Sequence, residues 1–151
     1  MSGSFNLSRV IDSEYRIAAL ETKAPDRILD VFKRLTLTSG RAIYGWSPDN
    51  GLYRLGSERI FIPQTRSVGD AINYIAASRH YGIYVLKDMD RALQNSSVQR
   101  GLERLLQRDD GIRRLLVMMD TQINLPEKLA GKVVRIRHQA SDKAPPTAAV
   151  S

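Results

Sequence analysis

The sequence predicts an α/β fold: a mainly parallel sheet of five strands with helices on both faces. Three observations carry this. Short extended runs alternate with amphipathic helix-length segments, the order that gives right-handed crossovers. Two of those runs, Gly82 to Leu86 and Arg114 to Met119, are nearly unbroken apolar stretches, as strands buried on both faces require. The 151-residue chain, 42% hydrophobic and 26% charged, is long enough for one domain with its own core.

In chain order, residues 5–12 predict a short helix with Phe5, Val10 and Ile11 as apolar contacts. Tyr15 to Glu21 reads as the first strand. Pro25 and Asp26 suit a helix's first turn, where a missing N–H costs nothing and an acid meets the positive end of the dipole. Ile28, Phe32 and Leu35 fall on one face of that helix, and Gly40 is placed to cap it. Ala42 to Trp46 is the second strand, followed by the turn run Ser47-Pro-Asp-Asn-Gly51. Leu52 to Leu55 and Arg59 to Ile62 are short extended pieces on either side of Gly56.

Ser67 and Asp70 form a capping-box-like start for a helix with Val68, Ala71, Ile72, Ile75 and Ala76 on its apolar face. The Gly82 strand follows. Ser96 or Ser97 is the expected cap of a third long helix carrying Val98, Leu102, Leu105 and Leu106. After the Arg114 strand come a short helix ending at Gly131 and a last strand, Lys132 to Arg137. Residues 1–138 are therefore expected to form the domain. Residues 139–151, small, polar and Pro-rich, are expected to be a disordered tail and a natural terminus.

Composition excludes several chemistries. With no Cys, there is no disulfide, thiolate zinc site or Cys nucleophile. His80 and His138 are the only imidazoles, too few for a His-rich metal site, and no G-x-S-x-G elbow accompanies them. No apolar run approaches the ~20 residues that span a bilayer, and the N-terminus lacks the blocks of a signal peptide, so the expected location is cytoplasmic. The net charge is +7, and residues 76–151 carry 13 basic against 8 acidic side chains. That excess keeps a nucleic-acid-binding module open as an alternative function.

In a parallel sheet the chemistry lies beyond the C-terminal ends of the strands. After the first strand, Glu21-Thr-Lys-Ala-Pro-Asp26 has no glycine to let backbone N–H groups approach a phosphate. After Ile83-Tyr-Val-Leu86 the place of a magnesium-binding carboxylate is held by Lys87, with Asp88 and Asp90 beyond it: a degenerate Walker B-like run. Asp88 and Asp90 read either as a metal site or, beside Lys87 and Arg91, as an ionic surface loop. No catalytic, cofactor or metal site is expected, and neither ATP nor magnesium is expected to bind usefully. Lys87 is expected near Glu21 or Asp120, replacing a lost metal charge. Arg100, Arg104 and Arg108, four apart on one helix, predict a basic ridge that is either a docking surface for an acidic partner or an ordinary solvated face. Trp46 and Tyr53 flank a turn and read as ligand-stacking or core aromatics.

Taken in order, Tyr15-Arg-Ile-Ala-Ala-Leu-Glu-Thr22, Ala42-Ile-Tyr-Gly-Trp-Ser47, Gly51-Leu-Tyr-Arg-Leu55, Gly82-Ile-Tyr-Val-Leu-Lys-Asp88 and Asn124-Leu-Pro-Glu-Lys-Leu129 resemble a family. They are similar to the N-terminal domain of certain bacterial and chloroplast AAA-type ATPases, where a degenerate ATPase domain without a P-loop precedes a complete one. The resemblance covers residues 5–138. It implies a three-layer, P-loop-NTPase-like fold with the last strand beside the first, then the Arg114, Gly82 and Ala42 strands. These 151 residues depart from the family pattern in having no complete ATPase domain after the degenerate one, so the expectation is a stand-alone, non-catalytic regulatory or protein-interaction module. The implied partner is an AAA-type ATPase or its assembly.

Overall fold

The computed structural model describes residues 7–56 and 60–138. Among these residues six strands form a single sheet: β1 (Ile17–Glu21), β2 (Ile43–Ser47), β3 (Gly51–Arg54), β4 (Gly82–Leu86), β5 (Arg114–Asp120) and β6 (Val134–Arg137). Six helices accompany them: α1 (Leu7–Ile11), α2 (Pro25–Ser39), α3 (Val68–Ala77), α4 (Met89–Ala92), α5 (Ser96–Gln107) and α6 (Glu127–Ala130). The strand order is β3-β2-β4-β5-β1-β6. Every pair is parallel except β2 with β3. This is the expected order of five parallel strands plus one more. The sixth, β3, turns back through residues 48–50 and lies antiparallel on the β2 edge, with Trp46 opposite Leu52.

Alternation along each strand divides the core between the two faces. Ile17, Ala19, Tyr84, Leu86, Leu116 and Met118 meet Ile72 and Ile75 of α3 and Leu102 and Leu105 of α5. Ala18, Leu20, Ile83, Val85, Leu115, Val117 and Met119 meet Ile28 and Phe32 of α2 and Ile11 of α1. Strands β4 and β5 are thus covered on both sides, which is why their sequences are apolar without alternation.

Local chemistry sets the helix boundaries. Pro25 opens α2, and Gly40 closes it in the left-handed region at φ 73°, its N–H donating to Thr36 O. Ser67 Oγ accepts from Asp70 N–H at 3.0 Å, the expected cap of α3. For α5 the cap is neither Ser96 nor Ser97. Asn95 Oδ1 accepts from Ser97 N–H (2.8 Å) and Val98 N–H (3.3 Å), one residue earlier than the sequence reading. Where α5 crosses α3, Gly101 lets the two backbones come close: a Cβ there would stand 2.7 Å from Ile72 Cγ2.

The extended piece expected at Arg59 to Ile62 is reduced to a single antiparallel bridge between Phe61 and Tyr53, while residues 57–59 lie outside the described residues. The tail expected at 139–151 also lies outside them. No helix among the described residues is long and apolar enough to cross a membrane.

Candidate functional site

The C-terminal ends of β1, β4, β5 and β6 converge on one rim of the sheet, where the parallel topology places any ligand site. The link from β1 to α2 is three residues long, Thr22, Lys23 and Ala24. It has no room to arch around a phosphate. Thr22 N–H continues the ladder by donating to Asp120 O at 2.8 Å, and buried Thr22 Oγ1 accepts from Ala24 N–H at 3.0 Å. Helix α2 then starts at Pro25, which has no N–H to offer an anion.

Three carboxylates of this rim, Glu21, Asp90 and Asp120, are turned inward on the protein's own donors. Glu21 accepts from Ile123 N–H at 2.9 Å and from the guanidinium groups of Arg135 (3.3 Å) and Arg137 (3.2 Å). The Ile123 N–H, with Arg137 and Arg135 adding to it against a desolvation cost, holds its carboxyl below the usual range. Asp120 accepts from Thr121 N–H at 2.7 Å and Asp90 N–H at 3.0 Å. Asp90 in turn accepts from Asn124 N–H at 2.6 Å. Gln94 Nε2 donates to both Asp90 O and Asn124 O, at 3.3 Å each. The short helix α4 is thereby tied to the loop after β5. No group of three or more His, Asp or Glu among the described residues is placed to hold a metal ion.

The Walker B-like residues separate. Asp90 joins this network, and Asp88 is exposed, holding φ 60° where the chain leaves β4 for α4. Lys87 goes to neither Glu21 nor Asp120. Its Nζ is 4.0 Å from Asp26 Oδ1 in the first turn of α2. The reason is that Glu21 is already occupied by two arginines and Asp120 by backbone N–H groups, whereas Asp26 is exposed.

The arginine ridge is also not the uniform exposed surface that the spacing predicts. Arg100 is exposed. Arg104 donates across the helix interface to Asn73 Oδ1 of α3. Arg108, at the end of α5, donates to Ala76 O (2.5 Å) and to Asp110 Oδ2 (2.7 Å). Two of the three forks therefore fasten α5 to its surroundings.

Trp46 packs against the core and donates Nε1–H to Thr65 O at 2.7 Å, and Tyr53 lies half-buried across from Gly45. His80 is exposed, and its N–H meets Ser78 Oγ at 3.2 Å. His138 Nδ1 lies 2.9 Å from Thr22 Oγ1. Burial, with nearby Arg27 adding to it, pushes its pKa down.

Sequence reasoning missed one constellation altogether. Asp110 receives both arms of Arg114, at 3.0 and 2.8 Å, as well as Arg108. Those two arginines hold its carboxyl far below the ordinary range. Arg114 is itself buried and donates Nε–H to Ser78 O at 2.7 Å. The available signal was an arginine opening an otherwise apolar strand, with an acid four residues earlier.

A family model described as the SpoVK-like AAA ATPase N-terminal domain matches residues 4–138. A search of the curated proteins gives no match.

Proposed function

We propose that this chain, which belongs to the family of SpoVK-like AAA ATPase N-terminal domains, is a non-catalytic protein–protein interaction or regulatory module. It acts with an AAA-type ATPase domain or with the assembly such an ATPase forms. One observation carries the reading: the rim where a P-loop fold cradles nucleotide is closed by the protein's own bonds. Its first connector is three residues without glycine, and Glu21, Asp90 and Asp120 are each committed to backbone or arginine donors. A fold that keeps its frame while its phosphate and magnesium ligands are replaced has its surface left as the means of acting.

The nucleic-acid alternative is weakened by where the C-terminal positive charge goes. Arg108 and Arg114 share Asp110, Arg104 donates to Asn73, and Lys128 lies 3.8 Å from Glu103. A surface built for phosphates leaves such groups free to release counterions.

The test has two arms. In the first, a thermal melt is run with and without 1 mM MgATP. A Kd near 10 μM would add about 2.7 kcal/mol by linkage, roughly 5–10 °C for a domain of this size; the expected shift is below about 1 °C. In the second, a purified SpoVK-like AAA ATPase domain is mixed with the chain, and co-elution and ATPase rate are followed. Co-elution with a changed rate is expected. A large MgATP shift, or an ATPase domain that neither co-elutes nor changes rate, overturns the reading.

A further inference from the structure

We infer that the outer edge of β6, together with the concavity at its start, takes up an extended acidic segment of a protein partner as an added strand. The inference rests on the interaction-module reading above and specifies its surface and the chemistry of what it binds.

Among the described residues β6 has one neighbour, β1, and ends the sheet. His138 N–H donates inward to Glu21 O at 2.8 Å. By strand alternation, residues 134 and 136 also face β1, and Arg135 and Arg137 turn their N–H and C=O groups outward. The opposite edge is treated differently. There residues 60–62 cover β3, with Arg54 N–H donating to Ile60 O (3.0 Å) and Ile62 N–H to Leu52 O (2.8 Å). Among the described residues, the β6 edge has no such cover.

Charge selects the occupant. Arg135 and Arg137 are 51% and 70% exposed, and both share the single carboxylate of Glu21, so one positive charge is left over. Lys132, two residues before the strand, is exposed as well. A second copy of this chain pairing through the same edge would set these arginines against their own counterparts, a like-charge contact that edge strands use to prevent self-association. The segment that follows β6 in the sequence contains Pro145 and Pro146, which have no N–H for a ladder. An incoming strand with acids at alternate positions satisfies the spare charge and the outward backbone groups together.

Shape agrees. Arg135 and Arg137 align with Ala19 and Glu21 and so lie on the α5 face of the sheet. On that face a concavity of about 580 Å³ opens between Glu14, Tyr15, Arg16, Leu106, Gln107 and Lys132, its two cations outnumbering its one carboxylate. Tyr15, 45% exposed, offers an apolar wall for the end of the added strand.

The experiment uses the full chain and a fluorescent octapeptide of alternating Val and Glu, with a Val–Lys peptide of equal length as control, read by anisotropy. The Val–Glu peptide is expected to bind and the Val–Lys peptide not. Arg137→Ala is expected to weaken binding roughly tenfold, as loss of one charge-assisted contact. Arg135→Pro is expected to bind about tenfold more weakly than Arg135→Ala, because only the proline also removes the outward N–H. A melt confirms that each variant is folded, and Arg137→Ala carries the test should the proline variant not fold. No binding of the Val–Glu peptide, binding indifferent to these substitutions, or a dimer in sedimentation that Arg135→Pro abolishes overturns the inference. If the ATPase domain still co-elutes while the peptide does not bind, this surface is wrong and the interaction-module reading stands.

Discussion

Replacing Arg114 with methionine is expected to destabilise the domain by about 2 kcal/mol, although it exchanges a charged residue for an apolar one at the head of an apolar strand. Arg114 is 3% exposed, and methionine fills most of the space of its stem. What is lost is the fork. Ser78 O, in a residue only 9% exposed, gives up its 2.7 Å donor, and Asp110 gives up two bonds. A buried carbonyl left without its donor costs about 1–3 kcal/mol. Asp110 faces solvent and can exchange the lost arms for water, so it adds little to the sum. A loss of about 2 kcal/mol lowers Tm by roughly 4–8 °C in a domain of this size. The assay is a calorimetric melt at pH 7, with Arg100→Glu as the exposed control expected to stay within about 0.5 kcal/mol. Arg114→Lys should recover little, since an ammonium cannot serve Ser78 O and both oxygens of Asp110 in the fork's geometry. A methionine variant melting within 1 °C of the parent would show that Ser78 O finds another donor and would refute the reasoning.

Arg108→Glu should lower Tm where Arg100→Glu does not, because Arg108 holds Ala76 O and Asp110; equal melts for the two variants would restore the uniform ridge. Asp110's carboxyl is depressed below its unfolded value, so its contribution is present above about pH 4 and fades as pH falls below that; acid titration of Asp110→Asn should show a shallower loss than the parent. His138 is a base whose folded pKa is lowered, so its contribution is complete above about pH 6.5 and is lost as pH falls through the folded value. His138→Gln should flatten the stability profile below about pH 6.5, measured by urea midpoints. Gly101→Ala places a methyl 2.7 Å from Ile72 Cγ2; its overpacking cost of about 1–3 kcal/mol should exceed the roughly 1 kcal/mol gained in helix propensity, giving a lower urea midpoint.

The parallel sheet with helices on both faces was readable from the alternation of strands and helices, whereas the strand order was readable only with the resemblance to the AAA-type family added. The pairing of β3 was less so: its four residues carry no signal for which edge they join, and that is decided by the hairpin at residues 48–50. The cap of α5 was ambiguous because Asn95, Ser96 and Ser97 all form caps, and only backbone geometry selects among them. Side-chain partners were the least readable. Four-residue spacing reports that Arg104 and Arg108 share a helix face, but not that Asn73 and Ala76 of α3 stand opposite it. Likewise, an acid missing after β4 says nothing of where Lys87 reaches, since Asp26 belongs to a helix some 60 residues earlier.

The position of β1 has a consequence for synthesis. The strand made first lies between the two made last, β5 and β6. As the chain leaves the ribosome, β1 has no partner on either side until Arg114 and the residues after it have emerged. At about 5–20 residues per second, that is a delay of roughly 5–20 s. Throughout it, Ile17-Ala-Ala-Leu20 is an apolar segment in search of a ladder. A nascent chain stalled before β5 is therefore a client for a chaperone, and protection of β1 from proteolysis should arise abruptly, once β5 and β6 have emerged.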